Sequence, residues 1–192
     1  MDNKLKIKDL ISIGIFGAVY IVVMMVTVTA FGTIPILYLT VPFFVGITCA
    51  TVYMLFVMKV PKRGSVFILS VLIAILYLPA SIPAVIYALL IGLVTEAVLA
   101  KDGYKSYKRI EMSFLAFANI TVGPFLGILF AKDRFIDQCV EYYGQEYGSK
   151  LDALTPSWII LPLLGIAIIG GYIGIRIGRK ILKKHFKKAG VI

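Results

Sequence analysis

Few side chains in this sequence have types that could do chemistry, and most of those sit at the edges of apolar stretches. Glu96 and Glu111 are the only carboxylates inside or bordering those stretches after Asp9, each within a turn or two of Lys101, Lys108 or Arg109. Ions in a low-dielectric setting need partners, so an inner charge cluster is the expected arrangement. A proton or cation relay is the alternative, and a relay would need polar groups nearer the middle of a stretch. Asn119 lies deep in an apolar stretch, where an amide must bond either to another helix or to a ligand. Thr95, Thr121, Ser113 and Tyr77 are its candidate neighbours. The single histidine, His185, stands in a basic tail, away from any Ser or Cys of the apolar stretches, which removes Ser–His hydrolysis. No His/Cys/carboxylate cluster has the character of a catalytic zinc site. Gly174-Ile-Arg-Ile-Gly178-Arg-Lys180 lacks the spacing and the hydroxyl of a phosphate-binding loop. No catalytic residue, metal or cofactor is expected, and no use of ATP by the chain itself.

The elements that must carry these residues follow from charge and hydropathy. The 192 residues are 60% hydrophobic with mean hydropathy +0.95, well above the apolar share of soluble domains. Seventeen of the 20 Lys and Arg residues fall into four clusters: Lys4/Lys6/Lys8, Lys59/Lys62/Arg63, Lys101/Lys105/Lys108/Arg109, and the tail from Arg176 to Lys188. Lys and Arg are retained on the cytoplasmic side, so apolar stretches between the clusters must leave and return to that side. The net charge of +10 is thereby read as topology and attraction to anionic inner-leaflet lipid, not as a nucleic-acid surface.

The expected fold is an all-α membrane protein, a single domain over residues 1–192, with six transmembrane helices and both termini cytoplasmic. The spans fall at about 10–30, 34–58, 64–78, 83–100, 112–131 and 157–177, with an outer loop at 132–156. Pro35 and Pro42 mark a kink or unwound turn near the outer end of the second span. The stretch from Gly64 to Ala100 holds no Lys or Arg and is too long for one helix, so Pro79-Ala-Ser-Ile-Pro83 divides it, leaving the third span short. The loop at 132–156 is net negative and belongs outside. The first span carries no small-residue cleavage site after a short apolar core, so it is read as retained.

Packing signals complete the reading. Gly170, Gly174 and Gly178 make a small-residue face read as internal helix packing. Gly14 and Ala18, with Gly17 beside them, make a similar face for which periodicity leaves packing and partner docking both open. Trp158 reads as an interfacial anchor. The loop holding Gln138, Tyr142, Tyr143, Gln145 and Tyr147 reads as a lid over an outward-facing pocket. Cys49 in a span and Cys139 in the outer loop are not expected to pair with each other.

Four stretches together, Lys4-Leu-Lys-Ile-Lys-Asp9-Leu, Gly103-Tyr-Lys-Ser106, Tyr147 with Leu154-Thr-Pro-Ser-Trp158, and Leu182-Lys-Lys-His-Phe-Lys-Lys-Ala-Gly190, resemble the Trep_Strep family of small bacterial integral membrane proteins. The match runs nearly end to end. That family looks like the substrate-binding S components of energy-coupling factor (ECF) transporters, six-helix bundles with both termini inside. The resemblance implies a bacterial plasma-membrane subunit that captures a vitamin or other micronutrient from outside. It would then associate with a T component and two ATPases and topple to release its cargo. It also implies that Gly14 and Ala18, in place of the family's Ala-x3-Ala, dock on the T component. The pocket it implies opens outward from the later helices and outer loops, with Asn119, Tyr87, Thr155 and Trp158 as candidate substrate contacts and Tyr38 and Tyr77 as further ones. No Lys or Arg lies in the outer half of any span, which disfavours a strongly anionic substrate. The competing readings are a self-sufficient ion-coupled carrier using Glu96 and an intramembrane enzyme using Glu96 or Glu111 as general acid or base.

Overall fold

Six apolar segments alternate in direction and bring the basic clusters to one end of the bundle. The computed structural model describes residues 4–101, 104 and 106–188, the last five as backbone only. Gly103, Lys105 and Ala189 to Gly190, which figure in the sequence reading, lie outside the described residues, as does the His185 side chain. Among the described residues are ten α-helices, two 3-10 segments and no strand.

The first helix, α1 (Ile7–Gly32), opens where the Lys6 amide donates to the Asp9 carboxylate at 2.7 Å. A four-residue turn of helix, α2 (Pro35–Tyr38), precedes α3 (Val41–Lys59). The expected single kinked span at 34–58 is therefore two pieces. Pro35 and Pro42 each stand in a first helical turn, where the missing N–H has no intrahelical partner to lose. Helix α4 (Ser65–Leu76) starts after Gly64, whose φ of +89° only glycine adopts readily. Helix α5 (Ile82–Ala100) begins at Ser81, which accepts the Ala84 amide.

Next come α6 (Tyr107–Phe117), a 3-10 segment (Ala118–Leu126) and α7 (Gly127–Phe130) as one continuous rod. Two helices, α8 (Lys132–Tyr143) and α9 (Gln145–Leu154), occupy the expected outer loop. The sequence reading took that segment as loop because it is hydrophilic overall. Its apolar residues nevertheless fall at helical spacing and bury on one side. A short 3-10 turn (Ser157–Ile159) leads into α10 (Ile160–Lys188).

Among the described residues, five segments are long and apolar enough to cross a membrane: Ile7–Gly32, Val41–Lys59, Ile82–Ala100, Tyr107–Phe130 and Ser157–Lys183. The sixth apolar helix, α4, has 12 residues, about 18 Å at 1.5 Å rise, against a hydrocarbon core of about 30 Å. It runs beside α1 and antiparallel to α5, reaching its neighbours' far ends only with the turns that follow Leu76.

The rod from Tyr107 to Phe130 and helix α3 form the centre. Their spans are 67% and 56% buried against 28% for α1 and for α5, so α1 and α5 are the helices that face outward. Their outward residues are Ile11, Ile15, Val22 and Val26 on α1 and Ile86, Leu90 and Leu93 on α5. Such continuous apolar faces suit hydrocarbon and not water. Helices α3 and α10 run parallel in backbone contact. A Cβ on Gly46 would meet the Gly171 nitrogen at 2.6 Å, one on Gly170 would overlap the Phe43 carbonyl, and Gly178 faces Thr51 and Met54. The small-residue face of α10 is thus spent on internal packing. On α1 the small residues divide: Gly17 is buried against Leu69 and Leu72 of α4, whereas Gly14 has nothing within 4 Å and Ala18 is exposed.

Candidate functional site

Two hollows stand at opposite ends of the bundle. The one at the basic end is a tie between elements. Glu96, near the end of α5 and almost fully buried, accepts the Val66 and Phe67 amides at 2.8 and 3.1 Å and the Tyr104 hydroxyl. These amides are among the first N–H groups of α4, which no intrahelical carbonyl reaches, and a carboxylate there also meets the positive end of the helix dipole. Glu111, at the start of α6, is held by Arg179 of α10 through both carboxylate oxygens, at 2.5 and 2.6 Å to Nη2. Asp9 joins Lys62 at 2.6 Å. The inner charge cluster expected at this end forms, with partners distant in sequence as well: antiparallel pairing sets the end of α5 over the start of α4, and the tail of α10 beside α6. The hollow beside Glu96 is lined by Arg63, Phe67, Leu93 and Tyr104.

The second hollow, a cavity of about 440 Å³, lies at the far end under α8. Met24, Met25 and Val28 of α1 form one wall, and Leu76, Tyr77, Pro79 and Ala80 at the end of α4 form another. Tyr38 and Val41 close it from the α2–α3 junction, and Thr121, Pro124 and Phe125 from the 3-10 segment. The roof is Phe135, Gln138, Cys139, Tyr142 and Tyr143 of α8, a run of i, i+3, i+4, i+7 and i+8 that makes one helical face.

The 3-10 segment has a local cause. Pro124 has no N–H to give Ile120, the carbonyl four residues back, and the Tyr77 hydroxyl donates to that carbonyl instead at 3.1 Å. Three residues per turn then place Thr121 and Pro124 in one row facing the cavity. Gly123 lets this backbone approach the Tyr77 ring, since a Cβ there would stand 3.0 Å from it.

The roof is fastened on both sides. Gln138 Nε2 donates to the Pro79 carbonyl at 3.1 Å, and the Tyr147 hydroxyl donates to the Gly32 carbonyl at 2.7 Å. Tyr143 stacks on Tyr147 with ring centroids 4.5 Å apart. Helices α8 and α9 fold back at Gly144, whose φ is +90°. Lys132 reaches across to Asp152 at 2.7 Å. Burial pushes the Cys139 thiol up to about 11, while the Lys150 ammonium beside Glu146 holds that carboxyl below its ordinary value.

Of the six residues expected to contact substrate, Tyr38 and Tyr77 line this cavity and four do not. The Asn119 amide donates to Leu115 of its own helix and its buried oxygen has no partner among the described residues, so it makes no bond to another helix. Thr155 is fully buried and donates to Leu151. Tyr87 packs among apolar side chains on α5, and Trp158 is 64% exposed. The residues sequence reasoning missed are Met24, Met25, Val28, Phe125 and Phe135. Pro124, with Tyr77 and Thr121 in reach of the carbonyl row, was the available signal.

Residues 7–188 match the Trep_Strep family, described as a hypothetical bacterial integral membrane protein, and the chain belongs to that family. It is accordingly a multi-pass membrane protein of bacteria. No curated protein and no solved structure matches the chain.

Proposed function

We propose that this family member is the substrate-capture subunit of an ECF-type importer, a binding protein and not itself an enzyme. The observation that carries the reading is the roofed cavity at the end opposite the basic clusters. By the retention of Lys and Arg on the cytoplasmic side, that end faces outside, both termini and all four clusters face the cytosol, and α4 with its following turns completes six crossings. The cavity then meets solutes before they cross, and the α8–α9 roof is the part that must part for entry.

Three observations support a handover to separate subunits. The outward face of α1 is flat and open at Gly14, where a Cβ would meet nothing within 4 Å, and exposed at Ala18, as a docking surface for a transmembrane T component requires. Glu96 is engaged as a helix cap, which leaves a carrier that relays protons through it without its central group. The sequence presents no phosphate-binding loop, so energy would come from two ATPase subunits. The cargo class is a vitamin-like or other small micronutrient.

The test is reconstitution. The protein in liposomes with a T component and two ATPases should take up its cargo only with ATP. Uptake by the chain alone, driven by an ion gradient, would establish the carrier reading instead. Gly14→Leu and Ala18→Leu should abolish co-purification with the T component while leaving the thermal midpoint unchanged; complex formation by both variants ends the docking proposal. Orientation is read separately: Tyr142→Cys, 80% exposed in the native residue, should react with a membrane-impermeant maleimide from outside the cell.

A further inference from the structure

The cavity lining carries a chemical selection that the fold did not need to make. Helix α8 has Lys132, Asp133, Arg134, Asp137 and Glu141 among its 12 residues, yet none of them lines the cavity, and among the described residues no other Lys, Arg, Asp, Glu or His does either. An ion taken into such a space would give up hydration with no counter-ion to meet it.

The walls are rich in ring faces and soft side chains. Tyr38 and Phe125 have centroids 4.9 Å apart, Phe125 and Phe135 6.4 Å, and Met24 and Met25 stand on the facing wall. Rings and thioethers together favour a flat, polarisable guest. The polar groups are few and partly committed. Tyr77 is engaged with Ile120, Thr121 with Ala118, and the Gln138 NH2 with Pro79. What is wholly uncommitted is the Tyr38 hydroxyl at the α2–α3 junction and, on the roof, the Gln138 amide oxygen and the hydroxyls of Tyr142 and Tyr143, while Tyr77 and Thr121 can still accept a bond and Gln138 can donate its second N–H.

Resting on the capture reading, we propose that the cargo is an uncharged, flat aromatic molecule, buried ring-first between the Tyr38/Phe125/Phe135 side and the methionines. Its few polar groups face Tyr38 and Gln138. A cavity of about 440 Å³ falls in the range that buries most of a cofactor-sized ligand.

The full-length protein in lipid nanodiscs can be titrated with three probes that share one ring: 2-naphthol, 2-naphthalenesulfonate and the 2-naphthylmethylammonium ion. Partition into lipid is removed by subtracting the same titration of protein-free nanodiscs, and Ala80→Trp, which fills the cavity from the half-exposed turn after α4, is titrated beside the native protein. The expected result is saturable binding of 2-naphthol, about tenfold or more tighter than either ion, and absent in Ala80→Trp. Ala80→Lys, an independent second variant, should bring 2-naphthalenesulfonate up to or past 2-naphthol. Equal or tighter binding of either ion to the native protein overturns the proposal. So does the lack of saturable binding by any probe, or binding that survives Ala80→Trp. An ion that wins leaves capture standing and ends only the claim about class. Failed ATP-dependent uptake alongside tight 2-naphthol binding ends capture and leaves the cavity chemistry intact.

Discussion

The two ends of this bundle treat charge in opposite ways. At the basic end each described carboxylate is drawn into a tie between elements: Asp9 to Lys62, Glu96 to the first amides of α4, Glu111 to Arg179. At the far end the ions stay on the outside of α8 and α9, in pairs such as Lys132–Asp152 and Lys150–Glu146, and the interior is left neutral and hollow. A buried ion stabilises only where its partners are preset, and the basic end presets them with helix termini. The far end keeps its room for a guest by leaving those anchors out. Rigidity and vacancy are thereby separated by the length of the bundle.

That contrast can be broken at several points. Glu96→Ala should be the most damaging single change, because it strands two amide donors and the Tyr104 hydroxyl; a loss of about 3 kcal/mol in thermal or denaturant unfolding is expected, with Glu96→Gln, which keeps an acceptor, losing about half as much. Probe binding at the far cavity should be unaffected per folded molecule. If it fell in step with stability, the two ends would not be independent. Arg179→Met should cost about 1–2 kcal/mol, reduced from a fully buried pair because the arginine is 43% exposed.

At the far end Tyr77→Phe leaves the Ile120 carbonyl without a donor and should lose about 1–2 kcal/mol, with altered probe affinity because the 3-10 row moves. Tyr147→Phe and Gln138→Ala each unfasten one side of the roof. Either should lower stability by about 1 kcal/mol or less while raising probe exchange rates in stopped flow; unchanged rates in both would mean that the roof is not the gate. The smallest effect concerns Cys139. In a Cys49→Ser background its maleimide labelling should be far slower than that of a free thiol at neutral pH. The rate should climb roughly tenfold per pH unit up to about 11, since only the thiolate reacts.

The legibility of the chain in its sequence divides along the same lines. Hydropathy and the four basic clusters were enough for an all-helical membrane bundle, because insertion responds to local composition. The prolines located the breaks, and the glycines of α10 were correctly read as packing. Length was less well read: α4 is shorter than expected, and 132–156 is two helices because α8 finds an apolar neighbour that sequence alone does not supply. Of the six residues expected to contact substrate, Tyr38 and Tyr77 stand in the walls of the far cavity, whereas Thr155 and Tyr87 are engaged elsewhere, Trp158 is exposed, and Asn119 is bonded within its own helix through its amide nitrogen alone.

The amino-acid order by itself decided which segments are apolar, where they break, and which face of α8 is free of charge, since each depends only on residue type and helical period. Only the tertiary structure decided the partner of each buried ion and the walls of the cavity. Those depend on which helix ends come together: Glu96 meets Val66 across 30 positions, and Tyr147 meets Gly32 across 115.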